Sequence, residues 1–444
     1  MKIVYAVGWY YPDGRGGTEA YVAALAASMR ERGHDVRVVA PQAGLVGTRS
    51  YEHEGVPVFR YGVSATPTRT DVRGTEAAGG AEALHAWLAR ERPDIVHVHA
   101  FVTGLGLSEV RAARAAGARV WVTSHAARLG WICERGTMLQ GGAALCDGLA
   151  EPAKCTACVL ADRELPPSIS GLVAILPRSV SAAALTLLPG RLGTLVGLRA
   201  LIADNLDRQR ALFEVIEGLV VLTEWARRAV VANGAPVGRV HLNRLGCVPP
   251  SGGKKAGPVD YPTRTPVTVG YVGRLDTVKG IDVLARAIRQ LDPSVPLRVM
   301  LRGPAESAEE RAVLAEWRAI IGDDPRVSVG GAVSREELGD VLRRLDVLVC
   351  PSRTLEGGPT IAIEAMAVGT PVVGSAIGGL AELVRDGAWG ATVPPQDDAA
   401  LARVLRTIAT DPAGTIDRWR EALPAARTMD QVAADQALLY DDDA

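Results

Sequence analysis

Apolar and polar positions along this chain follow two rhythms, a run of consecutive apolar residues and a stripe that returns every three or four. The opening passes from a short apolar strand (Ile3 to Val7) through a Gly-rich loop (Gly8 to Gly17) into an amphipathic helix (Thr18 to Arg32). Gly33 stops that helix and a second strand follows (Val36 to Ala40), which makes a βαβ unit. "DIVHVHA" (Asp94 to Ala100) and "RVWVTSH" (Arg119 to His125) are continuous apolar runs of the kind that parallel sheets bury on both faces, and Gly74 to Pro93 predicts the crossover helix before the first of them. After Pro266 the alternation restarts. "VTVGYVG", "LRVMLRG", "VSVGGAV", "VLVCPS" and "PVVGS" read as strands; "IDVLARAIRQL", "SAEERAVLAEWRAII", "SREELGDVLRRL" and "ALARVLRTIAT" read as helices. Between the two series lies "PPSGGKKAGPVDYPTRTP" (Pro249 to Pro266), whose Pro and Gly content cannot hold a regular element and predicts the interdomain linker.

The fold class is therefore α/β, with two Rossmann-like, doubly wound parallel-sheet domains, residues 1–250 and 251–420. Ligands of such sheets bind at the carboxyl ends of the strands, and two facing halves are expected to share a cleft. The length of 444 residues, with 48% apolar and 22% charged residues, fits a globular protein of this size. Lys and Arg (49) balance Asp and Glu (50) to a net charge of −1, which gives no bulk attraction for nucleic acid or an anionic membrane. The N-terminus lacks the pattern of a signal peptide, and no apolar run reaches the roughly 18 residues of a spanning helix, so a cytoplasmic protein is expected.

Candidate chemistry concentrates in "PSRTLEGGPTIAIEAMAVGTPVVGS". A helix starting at Pro359 or Thr360 and stopping at Gly369 puts Glu364 among Ile361, Ile363, Met366 and Val368. A carboxylate there needs a hydrogen-bond donor, which the hydroxyls of a ligand would supply; the plainer alternative is a helix with one exposed strip. Glu356 lies in the preceding loop beside Gly357 and Gly358, and the N–H groups of Gly358, Thr360 and Ile361 at the helix start favour an anion. In "RLDTVKG", Arg274 and Lys279 follow a strand and precede a helix, which suits a diphosphate, although a lone pair of cations is ordinarily solvated surface.

"GRLDTVKG", followed by "PSRTLEGGPTIAIEAMAVGTPVVGSAIGGLAELVRDGAWGATVPP", resembles the retaining, nucleotide-sugar-dependent glycosyltransferases of family 4, which have the GT-B fold; Glu356 and Glu364 form the family's E-x7-E signature. "GGTEAYVAALAASMRERGHDVRVVAP" and "PDIVHVHAF" agree more loosely, and the fit is poorest between about 130 and 210. The resemblance implies that Arg274 and Lys279 hold the donor diphosphate, Glu364 the ribose and Glu356 the sugar hydroxyls. It implies that Gly378 and Gly379 let a loop approach the donor, and that Gly16 and Gly17 approach the donor phosphates and the acceptor. It gives His125 a catalytic or positioning role near the donor sugar, and a helix over 421–444 that returns to the first domain. Gly14, Gly16 and Gly17 do not form a dinucleotide fingerprint, a structural turn being the alternative, and His97 and His99 read as core. No D-x-D pair appears where a metal bound to the sugar-nucleotide would need it, "DDDA" being only the C-terminal stretch, so donor binding without a catalytic divalent metal is expected. "NRLGCVPP" and "EGGP" depart from the family where it often has an Asn-Gly-Val-Asp turn and an aromatic residue.

Cys133, Cys146, Cys155 and Cys158 fall within 26 residues, an insert over about 131–160. Four thiolates at such spacing read most simply as a structural Zn site, with an iron–sulfur cluster and disulfides or free thiols as alternatives. Cys247 and Cys350 look like interior residues. The segment over about 163–210 has Arg178, Arg191 and Arg199 but no acidic residue between Glu164 and Asp204, and Pro177, Pro189, Gly190 and Gly193 should divide it into short helices. Either these helices pack on the N-terminal sheet, or residues 165–204 make peripheral membrane contact.

The function these readings favour is transfer of a sugar from a nucleotide-sugar donor (UDP- or GDP-sugar) to an unidentified acceptor hydroxyl, in a glycan, lipid-linked or small-molecule acceptor. The alternatives are a non-catalytic nucleotide-sugar-binding protein of the same fold, a sugar-nucleotide epimerase, and a redox role for the cysteines.

Overall fold

A computed structural model describes residues 1–14, 16–74, 76–125, 128, 130–141, 144–163, 165–250 and 265–441 of the chain. Most of the segment read as linker, 251–264, and the last residues, 442–444, lie outside them. Two compact units divide the chain: Met1–Arg244 with Met429–Ala444, and Leu245–Thr428.

The first unit is built on a sheet of β1 (Lys2–Ala6), β2 (Asp35–Ala43), β3 (Thr48–His53), β4 (Val56–Val63), β5 (Ile95–Val98) and β6 (Arg119–Ser124). A small separate hairpin, β7 (Leu139–Gln140) and β8 (Ala144–Leu145), follows, and β9 (Gly218–Val221) and β10 (Val240–Leu242) complete the sheet. Its order is β10-β9-β6-β5-β1-β2-β4-β3, parallel throughout except for the antiparallel β3–β4 edge. The apolar runs become strands because both sheet faces are covered: every residue of β5 and β9 is buried. The helix Gly17–Glu31 buries Tyr21, Val22, Leu25, Ala26 and Met29, one face at helical spacing. The helix Met429–Asp441 packs in this unit: Arg32 donates to Asp430 at 2.7 Å, Arg119 to the Tyr440 carbonyl at 2.7 Å, and Tyr440 is fully buried.

The second unit carries β11 (Val267–Val272), β12 (Leu297–Arg302), β13 (Val327–Gly330), β14 (Val347–Cys350), β15 (Val372–Ser375) and β16 (Gly390–Val393). They form a fully parallel sheet in the order β13-β12-β11-β14-β15-β16. The order reverses between β11 and β14, so the loops after those two strands flank the switch point where doubly wound sheets bind ligands.

Several elements differ from the sequence reading. The crossover helix is confined to Glu82–Glu91, because Gly79 and Gly80 interrupt its first half. β3 and β4 have no counterpart in that reading: β3, at the sheet edge, leaves most of its side chains in solvent, and the buried β4 has its apolar run broken by Pro57, Arg60 and Gly62. The segment after the cysteines forms helices Pro167–Ile175, Arg178–Leu187, Gly190–Val196 and Leu198–Val215; the prolines divide it, whereas Gly193 sits inside a helix. Pro167–Ile175, Arg178–Leu187 and Gly190–Val196 pack on Leu198–Val215, with a small core of Val159, Leu160, Val173, Leu198 and Ile202.

Candidate active site

In the second unit, β11 ends at Val272 and the chain turns through Gly273 and Arg274 into a single 3-10 turn, Thr277–Lys279, capped by the Asp276 side chain on the Val278 N–H at 3.1 Å. Gly280 then adopts φ +67° to enter the helix Ile281–Arg289, and a Cβ there would meet the Pro351 carbonyl oxygen at 2.1 Å. This close approach sets the loop after β11 against the loop after β14. Arg353 fastens them from the other side, its N–H donating to the Val278 carbonyl at 2.8 Å and its guanidinium pairing with Asp282.

The two loops bring Lys279 and Glu356 together. The Lys279 Nζ donates to Glu356 Oε1 at 2.5 Å, and the Ser352 hydroxyl donates to the same oxygen at 3.0 Å. Arg274 is exposed earlier in the loop that carries Lys279; its backbone carbonyl accepts from the Tyr271 hydroxyl at 2.5 Å, while its guanidinium makes no hydrogen bond or ion pair among the described residues. Below, the Cys350 thiol is pushed up to about 12 by burial and then by the Glu356 charge, which makes it an inert interior group.

Glu364 lies inside the helix Thr360–Ala367, 5% exposed, and pairs with Arg335, whose guanidinium also donates to the Val248 carbonyl at 2.8 Å. The donor that the buried carboxylate requires is thus a side chain of this unit, half-exposed itself. The helix start has Pro359 in the cap position and no side-chain cap, leaving the N–H groups near Gly358 and Thr360 uncovered by a carboxylate or hydroxyl of their own. Gly358 takes φ +122°. Gly378 and Gly379 approach this loop: the Gly379 N–H donates to the Glu356 carbonyl at 2.8 Å, and a Cβ on Gly379 would meet the Gly357 carbonyl carbon at 2.5 Å. What these two glycines approach is the backbone that carries Glu356.

In the first unit, His125 directly follows β6 and its Nε2 lies 2.9 Å from Nδ1 of His99. His99 stacks on His97 with ring centroids 4.3 Å apart, and His97 is held by the Tyr440 hydroxyl at 2.5 Å and the Thr123 hydroxyl at 2.7 Å. Tyr21 packs edge-on against His125. Burial holds His125 down to about 4 and His97 down to about 3, and keeps His99 well below the ordinary histidine range. The cluster is therefore neutral near pH 7. His125 lines a cavity of about 290 Å³ together with Trp9, Thr18, Phe101, Arg128 and Trp131.

Gly16 begins the helix Gly17–Glu31, and a Cβ there would meet the Glu19 carboxylate at 2.4 Å, whereas Gly17 has open space around it. The helix start is thus already faced by its own carboxylate. The sequence reading missed Arg335, Ser352 and Arg353, and it placed His99 in the core without its bond to His125. Of the cysteines, Cys247 and Cys350 are buried, and all six are unpaired. Among the described residues, no group of three His, Cys, Asp or Glu side chains is arranged to hold a metal ion.

Residues 266–411 match the model for glycosyl transferases group 1, and residues 16–155 match that for the glycosyl transferase 4-like domain. A D-inositol 3-phosphate glycosyltransferase of Streptosporangium roseum is 34% identical over 221 residues, 47% of this chain and 49% of that relative. Its counterpart in Streptomyces coelicolor is 38% identical over 149 residues, 32% of each chain. The chain thus spans about half the length of the first of these relatives and about a third of the second. Among solved structures, a sucrose-phosphate synthase from Thermosynechococcus elongatus superposes with a TM-score of 0.65 at 20% identity, covering 100% of this chain and 99% of that one. Anabaena Alr3699/HepE in complex with UDP gives 0.63 at 15% identity over 100% of both chains. At these identities the likeness establishes the fold, two Rossmann-like domains of GT-B type.

Proposed function

We propose that this chain is a glycosyltransferase of the family 4 type, in keeping with the two family models its halves match, and that it moves a sugar from a nucleotide-sugar donor to an acceptor hydroxyl with retention of configuration. The observation that carries the reading is the meeting of Lys279 and Glu356 at the switch point between β11 and β14, with the exposed Arg274 earlier in the same loop as Lys279. A diphosphate laid across Arg274, Lys279 and the uncapped start of the helix Thr360–Ala367 would have two cations and backbone N–H groups around it. The sugar hydroxyls would then reach Glu356, and the ribose would reach Glu364 and Arg335. The Anabaena protein crystallised with UDP and with UDP-glucose supports a donor of the same class.

In the reaction, the bond between the sugar's anomeric carbon and the phosphate oxygen breaks, and the nucleoside diphosphate leaves with the electron pair. The acceptor oxygen bonds to that carbon, and its proton passes to the departing phosphate oxygen on the same face. Arg274 and Lys279 stabilise the charge that develops on the leaving group, which requires no catalytic divalent metal. His125, neutral and held by His99, would orient an acceptor hydroxyl in the first unit's cavity that it lines.

An exposed apolar face favours a lipid-linked acceptor. Ile169, Leu172, Ile175, Val180, Leu187 and Leu192 are exposed, and the only charged side chains between Leu165 and Ala203 are Arg178, Arg191 and Arg199. Among the described residues no single helix there is long and apolar enough to cross a membrane, whereas Pro167–Ile175 and Arg178–Leu187 together, bent by 106°, are; the contact proposed is with an anionic bilayer surface.

Thermal stabilisation by UDP, GDP, ADP and their sugar conjugates tests the donor site. One nucleotide series should stabilise the wild type and lose most of that effect in Arg274→Ala and Glu364→Ala. A folded protein unmoved by every nucleotide removes the donor site, and a converted donor with no released diphosphate points to an epimerase.

A further inference from the structure

The four clustered cysteines are not used by the proposed transfer reaction. Cys133 ends a loop at which the Gly136 N–H donates back to its carbonyl at 3.2 Å; the hairpin β7–β8 then returns the chain so that the Cys146 N–H donates to the Met138 carbonyl at 2.9 Å. Cys155 and Cys158 follow on the helix Pro152–Asp162 at i and i+3, one face of its first turns. The result is that Cys133, Cys146, Cys155 and Cys158, far apart in local structure, all line one cavity of about 40 Å³ whose other walls include Ile132, Met138 and Val159. Two of the sulfurs accept backbone hydrogen bonds, Cys158 from Gly141 at 3.3 Å and Cys146 from Gly148 at 3.4 Å. Such N–H donors offset negative charge on sulfur. None of the four is in a disulfide.

We infer that these four cysteines form a structural Zn(II) site. The thiols ring the cavity without having closed to a ligand set, so loading requires them to turn inward until each sulfur stands about 2.3 Å from the ion. Metal entry replaces four S–H bonds by four Zn–S bonds and releases up to four protons to solvent, with no change of oxidation state. Four thiolates complete a closed tetrahedral set around a single Zn(II) ion. The consequence reaches the first unit's larger cavity, because Trp131, two residues before Cys133, forms part of its wall and packs tilted against Phe101 with ring centroids 4.5 Å apart.

The test is metal analysis of the full-length protein purified without added metal, with zinc released by a mercurial and counted by a chromogenic chelator. About one zinc per chain is expected, with X-ray absorption showing about four sulfurs at ~2.3 Å. Cys155→Ser and Cys158→Ser should each lower zinc retention at least fivefold, and Cys247→Ser, outside the cluster, should retain it. Should the cluster variants fail to fold, the wild-type stoichiometry and absorption spectrum decide the matter alone. Zinc well below stoichiometric together with four rapidly titrating thiols in the native protein overturns the inference, as does iron with absorption near ~400 nm, or a disulfide found by intact mass.

Discussion

Replacing Lys279 by Met removes one cation from the switch point while keeping most of the side chain's volume. In the folded chain, the Lys279 Nζ sits 2.5 Å from Glu356, and the two side chains are 23% and 17% exposed. At an effective dielectric constant of about 20, unit charges 4 Å apart interact by roughly 4 kcal/mol, and the partial exposure of Lys279 reduces that figure. Removal of one preorganised electrostatic group facing a developing negative charge commonly costs about 2.7–4 kcal/mol, a factor of 10² to 10³ in kcat. The lower end is expected here, about a hundredfold. The assay is release of nucleoside diphosphate from the donor that stabilises the protein, with the thermal transition of each variant as the folding control. Lys279→Arg keeps the charge and should recover part of the rate, whereas Glu356→Gln tests the partner. A Lys279→Met enzyme within about threefold of wild type refutes the role assigned to Lys279, as does a Lys279→Arg enzyme no faster than Lys279→Met.

Arg335→Ala should destabilise the second unit by about 1–3 kcal/mol, more than Glu364→Gln, because the group left unpaired is the buried carboxylate; urea unfolding compares the two. For the first unit, His97 at about 3 and His125 at about 4 both lie below the unfolded histidine value of about 6.5. The unfolded chain therefore binds more protons below pH ~6.5. Stability is independent of these groups above that pH and falls as pH drops toward 4, by about 1.4 kcal/mol per pH unit for each histidine. Urea midpoints between pH 8 and pH 4.5 should show this decline, less steeply in His125→Asn. The paired change Leu172→Glu and Ile175→Glu should abolish co-sedimentation with vesicles containing anionic lipid while leaving nucleotide-induced stabilisation intact; unchanged sedimentation would remove the membrane face.

The parallel cores of both units were legible because burial on two faces leaves a continuous apolar run, as in Ile95–Val98 and Val347–Cys350. β3 was not legible, since an antiparallel edge needs no such run. Lys279 and Glu356 could be nominated separately from their glycine-rich loops, but their 2.5 Å contact depends on β11 and β14 being neighbours, which chain order does not reveal. Arg335 pairs with Glu364 across 29 residues from a loop with no distinguishing composition. The alternation in "DIVHVHA" put His97 and His99 on one side of β5, yet the bond from His99 to His125 required β6 to lie beside it. Gly378 and Gly379 were nominated by the family resemblance, and only the fold identified the Glu356 loop as what they approach.

The reaction that sets this site apart is transfer of a sugar out of a nucleotide-sugar. It is tested most directly by NMR observation of an anomerically labelled donor, incubated with the enzyme and a panel of hydroxyl acceptors, lipid-linked ones included. Stoichiometric release of nucleoside diphosphate and a product with the donor's anomeric configuration are expected, both lost in Glu356→Gln. An inverted product would contradict the retaining mechanism, and an unconverted or merely isomerised donor would contradict sugar transfer itself.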